Sequence, residues 1–132
     1  VSQENVERAR KATANLESLF DAFAEDVVWD TRDYGREMPP EWAPLARGKA
    51  DVTRSLRSWV GSWEDYRFEV LDITDAGDSV LLEVRETGHG RTSHAPMEHR
   101  YYLTCSFSAG HIVAGAAYSS RNVALRAVGL EE

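Results

Sequence analysis

The stretch Phe23-Ala24-Glu25-Asp26-Val27-Val28-Trp29-Asp30 joins an acidic turn to an apolar run that carries a tryptophan. Just before it, Leu16, Leu19, Phe20 and Phe23 recur at three- and four-residue spacing, one greasy stripe of a helix that Asn15 is suited to cap. Just after the acidic pair, Val27 to Thr31 alternates as a short strand. A helix that runs straight into a strand, followed by one more helix and then only strands, describes a sheet curled around helices. Such a cone has a pocket in it.

Towards the N-terminus, Ser2 can cap a first helix running through Ala12, with Val6 and Ala9 on its inner face. No glycine or proline separates this segment from the next, so one long helix from Ser2 to Phe23 is the alternative. Towards the C-terminus, Arg32 to Gly48 contains Pro39, Pro40 and Pro44, which denies it regular structure. A loop of that length suits a lid or a binding segment. The helical period returns from Ala50 to Trp63, with Val52, Leu56, Trp59, Val60 and Trp63 on one face. Strands over Tyr66 to Thr74, Ser79 to Thr87, Met97 to Phe107 and Ile112 to Ser119 follow, separated by turn signals, and Val123 to Leu130 predicts a terminal helical turn. Helices first and antiparallel strands last is α+β. With 132 residues there is enough chain for one core and not two, so residues 1–132 read as a single domain.

Composition narrows the function. The chain is 42% hydrophobic with four tryptophans, which argues against global disorder. Its 22 acidic residues outnumber 15 scattered basic ones, a net charge of -7 that would repel a phosphate backbone, so nucleic acid is not an expected partner. No apolar run approaches the roughly 20 residues of a membrane span, and the first residues are polar. A single cysteine, Cys105, fits a reducing compartment. The expectation is a soluble, cytoplasmic protein.

Several short motifs carry a likeness to a known fold family. They are Glu4-Asn5-Val6-Glu7, the joint Phe23 to Asp30, Gly48-Lys49-Ala50-Asp51-Val52, Trp63-Glu64-Asp65-Tyr66-Arg67-Phe68-Glu69 and Asp75-Ala76-Gly77-Asp78. Together they resemble the nuclear transport factor 2-like superfamily, and more narrowly its SnoaL-like and ketosteroid-isomerase-like bacterial members. The resemblance implies a cone-shaped, curved mixed sheet wrapped around N-terminal helices (the cystatin-like roll), an apolar pocket and frequently a homodimer. It implies no single reaction, since the fold hosts isomerases, cyclases, hydrolases, dehydratases and binding domains. Two departures stand out. The first helix is about five residues shorter than is common in the family, more than one turn, so one pocket wall is missing or supplied by a partner. The isomerase's two acids fall at Thr31 and near Leu103, and neither side chain can shuttle a proton near pH 7. Steroid isomerisation by that mechanism is therefore excluded.

Strand alternation sorts the remaining candidates by face. Val80, Leu82 and Val84 share a face with Glu86, while Tyr101, Leu103, Cys105 and Phe107 share one with Met97 and His99. Pairing like face with like face sets Leu82 beside Leu103, Val84 beside Tyr101 and Glu86 beside His99. A carboxylate and an imidazole then meet on the concave face as orienter and general base; a solvated cross-strand pair is the alternative. Asp33 is the acid best placed to reach the pocket mouth, although Asp30-Thr31-Arg32-Asp33 also reads as an exposed loop. The grouping of Asp30, Arg32 and Asp33 resembles the acids and arginine of limonene-epoxide-hydrolase-type members, which come from separate strands.

Trp29, Trp59, Trp63, Tyr101 and Tyr118 are expected on inner faces, with Tyr34 and Trp42 on the long loop above the opening. Such rings suit a flat, mostly apolar ligand, and they also suit ordinary core packing. Ala114-Gly115-Ala116-Ala117 leaves either cavity space or room for a close approach. His89, His94, His99 and His111 lack metal-ligand spacing, and no phosphate loop or cofactor fingerprint occurs, so neither metal nor cofactor is expected. Cys105 reads as a packed small hydrophobe on the pocket side. Two functions remain: an acid–base enzyme of the isomerase, cyclase or hydrolase kind acting on an apolar small molecule, or a non-catalytic ligand-binding or dimerisation module.

Overall fold

The structure, a computed structural model, describes residues 2–34 and 44–130. The chain begins with two helices, α1 (Ser2–Ala12) and α2 (Leu16–Ala22), so the single long helix does not form. Local hydrogen bonds decide it. Thr13 Oγ1 donates back to the Ala9 carbonyl at 2.7 Å, and Asn15, extended at φ -160°, accepts from the Ser18 amide at 2.8 Å. Both side chains thus compete with continued helix and reset the chain direction.

Strand β1 (Phe23–Asp30) begins four residues before the expected Val27. Phe23 already has extended backbone, φ -68° and ψ 135°, while its amide still caps α2 by donating to the Phe20 carbonyl. Between the parallel pairs Phe23↔Ile112 and Val28↔Ala114 the ladder is irregular, and there Glu25 and Asp26 stand exposed. A bulge holding two solvated acids reads in sequence like the end of a helix.

A three-residue strand, β2 (Leu45–Arg47), crosses what reads as loop and pairs antiparallel with β1 through Trp29↔Ala46. The expected loop position of Trp42 lies outside the described residues. Helix α3 (Lys49–Gly61) stops short of Trp63, because the chain turns at Ser62, whose amide bonds back to Trp59. Trp63 instead opens β3 (Trp63–Asp75), followed by β4 (Ser79–Gly90), β5 (Pro96–Ser108), β6 (His111–Tyr118) and α4 (Arg121–Ala127). The strand order is β2-β1-β6-β5-β4-β3, antiparallel throughout except for β1 against β6. At the β5–β6 turn Ala109 and Gly110 both have positive φ, 52° and 83°, the primed geometry that matches strand twist. Irregularities within β3–β4 and β5–β6 curl the sheet into an open cone.

Apolar side chains collect on both faces. The main core fills the concave side, where Phe23, Val27, Val52, Leu82, Val84 and Leu103 pack with α1 and α2. Each such side chain contributes about 1.5–3 kcal/mol by leaving water. A smaller cluster lies on the opposite face, where Ala124 and Leu125 of α4 cover Leu81 with Tyr102, Tyr118 and Leu130 around them. Among the described residues no helix is long and apolar enough to cross a membrane.

Candidate functional site

Glu86 is the residue from which the site is built. It sits on β4 in the predicted register, opposite His99 and two rungs from the Val84↔Tyr101 pair. It is only 2% exposed, so its charge must be met by hydrogen bonds. Three groups supply them: Trp59 Nε1 of α3 at 3.1 Å and Tyr66 Oη of β3 at 2.7 Å on Oε2, and His99 Nδ1 of β5 at 3.1 Å on Oε1. All three can donate and an ionised carboxyl only accepts, so this is the environment of a carboxylate. The solvated cross-strand pair is thereby replaced by a buried junction of four elements. The His99 ring is further held by stacking on Trp59, centroids 6.0 Å apart, and by the edge of Trp63 at 6.5 Å.

A cavity of about 50 Å³ lies beside this carboxylate. Its walls are Trp29 of β1, Thr31 and Tyr34 just beyond it, Leu56 and Trp59 of α3, Glu86 of β4, Tyr101 and Leu103 of β5, and Ala117 of β6. Tyr34 and Tyr101 meet edge to face at 5.3 Å. Burial, and then the neighbouring Glu86 charge, pushes the Tyr101 phenol well above its ordinary range. The same two causes raise Tyr66, whose proton is committed to Glu86. Both phenols stay protonated near neutral pH. Thr31 and Leu103, the positions that the family resemblance assigns to the isomerase acids, both line this space.

Other expected residues lie elsewhere. Trp63 packs edge-on against Trp59 at 5.4 Å, behind the wall, and its buried indole N–H has no hydrogen-bond partner among the described residues. Cys105 is 1% exposed within the core, one layer beyond Leu103, where burial pushes its thiol up to about 12. Tyr118 belongs to the outer face beneath α4, because the β-bulge at Ser106/Phe107 reverses the parity of β6. Asp33 is exposed and outside the cavity lining. Asp30 is clamped by Arg32, Nε to Oδ1 at 3.0 Å and Nη2 to Oδ2 at 2.8 Å, which lowers its pKa. Among the described residues no group of three or more His, Cys, Asp or Glu side chains could hold a metal ion. Tyr66 and Ala117 are contributors that sequence reading missed. Tyr66 shares parity with Phe68 and Val70, but the irregularity between Glu64 and Arg67 hides its pairing with β4.

The α+β cone is the fold of the nuclear transport factor 2-like proteins. Within that class the chain belongs to the SnoaL-like domain family, whose model matches residues 8–115. Among solved structures it is similar to a ketosteroid isomerase-like protein from Catenulispora acidiphila crystallised with trimethylamine, at 19% identity, TM-score 0.66, covering 95% of this chain and 92% of that one. It is also similar to a nuclear transport factor 2-like protein from Burkholderia pseudomallei, at 15% identity, TM-score 0.70, with coverage of 95% and 97%. TerC, co-crystallised with polyporic acid, matches at 14% identity and TM-score 0.70, again covering 95% and 97%. At these identities the likeness shows the fold. No curated protein matches the sequence.

Proposed function

We propose that the protein binds a small molecule in this cavity and that Glu86 exchanges a proton with it. The carrying observation is the position of Glu86, buried, held by three donors and presented on the wall of an aromatic cavity. This changes the roles read from sequence. Glu86 faces the ligand space, while His99 lies behind it and positions its carboxylate, so Glu86 is the catalytic residue and His99, Trp59 and Tyr66 are positioning residues. Tyr101, kept protonated, can donate a hydrogen bond to any acceptor the ligand carries. Small-molecule complexes of similarly folded proteins, with trimethylamine and with polyporic acid, support the binding part of the reading. A homodimer acting in the cytoplasm completes it, the latter fitting a lone buried thiol.

The rival reading, binding without chemistry, is favoured by Thr31 and Leu103, which among the described residues leave the cavity with Glu86 as its one carboxylate. The two are separated by screening small molecules through the Trp29 and Trp59 indole resonances, then following deuterium uptake by each binder in heavy water. Glu86→Gln keeps the shape and should slow uptake by at least about 100-fold, the usual contribution of a positioned acid or base. Equal rates in both proteins, or binders without exchange, would establish the binding module.

A further inference from the structure

We propose that the group this cavity encloses is a compact organic cation, a methylated ammonium head, with any remaining part of the ligand extending out of the mouth. The inference rests on the reading that this cavity is the ligand site and goes further by fixing the ligand's charge and size. Three observations carry it.

The first is charge. Glu86 is buried, yet among the described residues neither Lys nor Arg pairs with it; its partners are an indole, a phenol and an imidazole. Buried charges ordinarily meet a counter-charge; the indole and the phenol satisfy lone pairs without cancelling the field, and His99 is an ionic partner only as an imidazolium. The carboxylate therefore leaves a negative potential in a site of low dielectric, where it acts strongly on whatever enters.

The second is the wall. Trp29, Tyr34, Trp59 and Tyr101 surround the space, and their ring faces carry negative quadrupole density that attracts a cation. An alkylated ammonium suits such walls better than a bare one, because its methyl groups bury against rings while the charge is spread over them. Aromatic walls without an acid would select a neutral apolar group. An acid without the walls would select a metal or a hydrated amine.

The third is size. At about 50 Å³ the cavity holds a few water-sized groups, given roughly 10–15 Å³ for each. Four or five heavy atoms match a trimethyl- or tetramethylammonium head. A fused-ring ligand needs several times this space. Gly115 and Ala117 are the small residues of β6 on this side, and Trp29 seats its ring directly against Gly115, which sets the limit.

The test compares tetramethylammonium chloride with tert-butanol, a neutral molecule of nearly the same shape, at constant ionic strength made up with sodium chloride. Binding is read from the Trp29 and Trp59 indole resonances of the full-length protein. Tetramethylammonium should bind at least about tenfold more tightly than tert-butanol. Glu86→Gln should remove that preference while tert-butanol binding persists. The wild-type comparison needs no variant, so a misfolded Glu86→Gln leaves the test intact; Trp59→Leu then serves as the second variant and should weaken the cation more than the alcohol. Equal affinities, or a preference for tert-butanol, would overturn the cation assignment and keep the small-molecule site. If neither probe moves either indole, the site itself is refuted along with the assignment.

Discussion

At the scale of single residues, burial fixes how this protein responds to alkali. Cys105 in the folded chain is pushed up to about 12 by burial, whereas an unfolded cysteine titrates near 8.5. Above about pH 8.5 the unfolded chain has lost a proton that the folded chain keeps, so stability falls as pH rises, approaching ~1.4 kcal/mol per pH unit from this group alone. Below that range both states hold the proton and the contribution is complete. Tyr101 and Tyr66, also raised, act in the same direction from about pH 10 upward. Urea unfolding across this range should show Cys105→Ala flattening the decline between about pH 8.5 and 10 and leaving the steeper loss above it. An unchanged slope would mean the thiol is not enclosed. Asp30 works in the opposite sense: lowered by Arg32, it adds stability above the unfolded carboxylate range and loses it in acid. Its side chain is 27% exposed and Arg32 is 60% exposed, so the effect is small.

At the scale of elements, the dimensions of the site are set where β1 lies against β6. A Cβ on Gly115 would run into the six-membered ring of Trp29, which also meets Phe23 edge-on at 5.4 Å. Gly115→Ala must therefore drive the indole toward the cavity, and overpacking of this kind costs about 1–3 kcal/mol. Thermal unfolding should register that loss, and tetramethylammonium affinity should fall with it; a variant as stable and as tight as the parent would show that the ring does not seat there. Legibility in the sequence followed the same geometry. The β4–β5 pairing that joins Glu86 to His99 was readable because both strands alternate without interruption. Tyr118 was not, since Ile112 faces the core while the bulge beyond it hands that side to Gly115 and Ala117. Trp63 was misleading for another reason: its four-residue spacing from Trp59 imitates one more helical turn, although the chain has already entered β3. The acids of β1 deceived in the same way, exposed in a bulge that mimics a helix end.

At the scale of the whole molecule, one sheet separates two environments, and that makes assembly testable apart from binding. The concave face holds the core and the cavity, while α4 covers only one end of the outer face. Along that outer face Ser106 on β5 and Ala114 and Ala116 on β6 are half-buried, while Thr104 is already buried and Tyr102 packs against the α4 cluster. This stripe is uncharged, and the ion pairs Arg85–Glu98 and Arg100–Glu83 flank it. Two copies meeting there would bury about 800 Å² each, the standard size for a specific interface, out of the 7405 Å² the described residues expose. Each copy carries a net charge of -7, so the copies repel at long range and the dimer should tighten as salt screens them. Light scattering at micromolar concentration should therefore give a dimer, and Ala116→Arg, which places a charge on the stripe, should return a monomer. Because Ala117 points to the other face, that monomer should bind tetramethylammonium as the parent does. A wild-type monomer at micromolar concentration would remove the homodimer and any role for the stripe. A dimer untouched by Ala116→Arg would move the interface to another face, and loss of binding with dissociation would show that a partner completes the pocket.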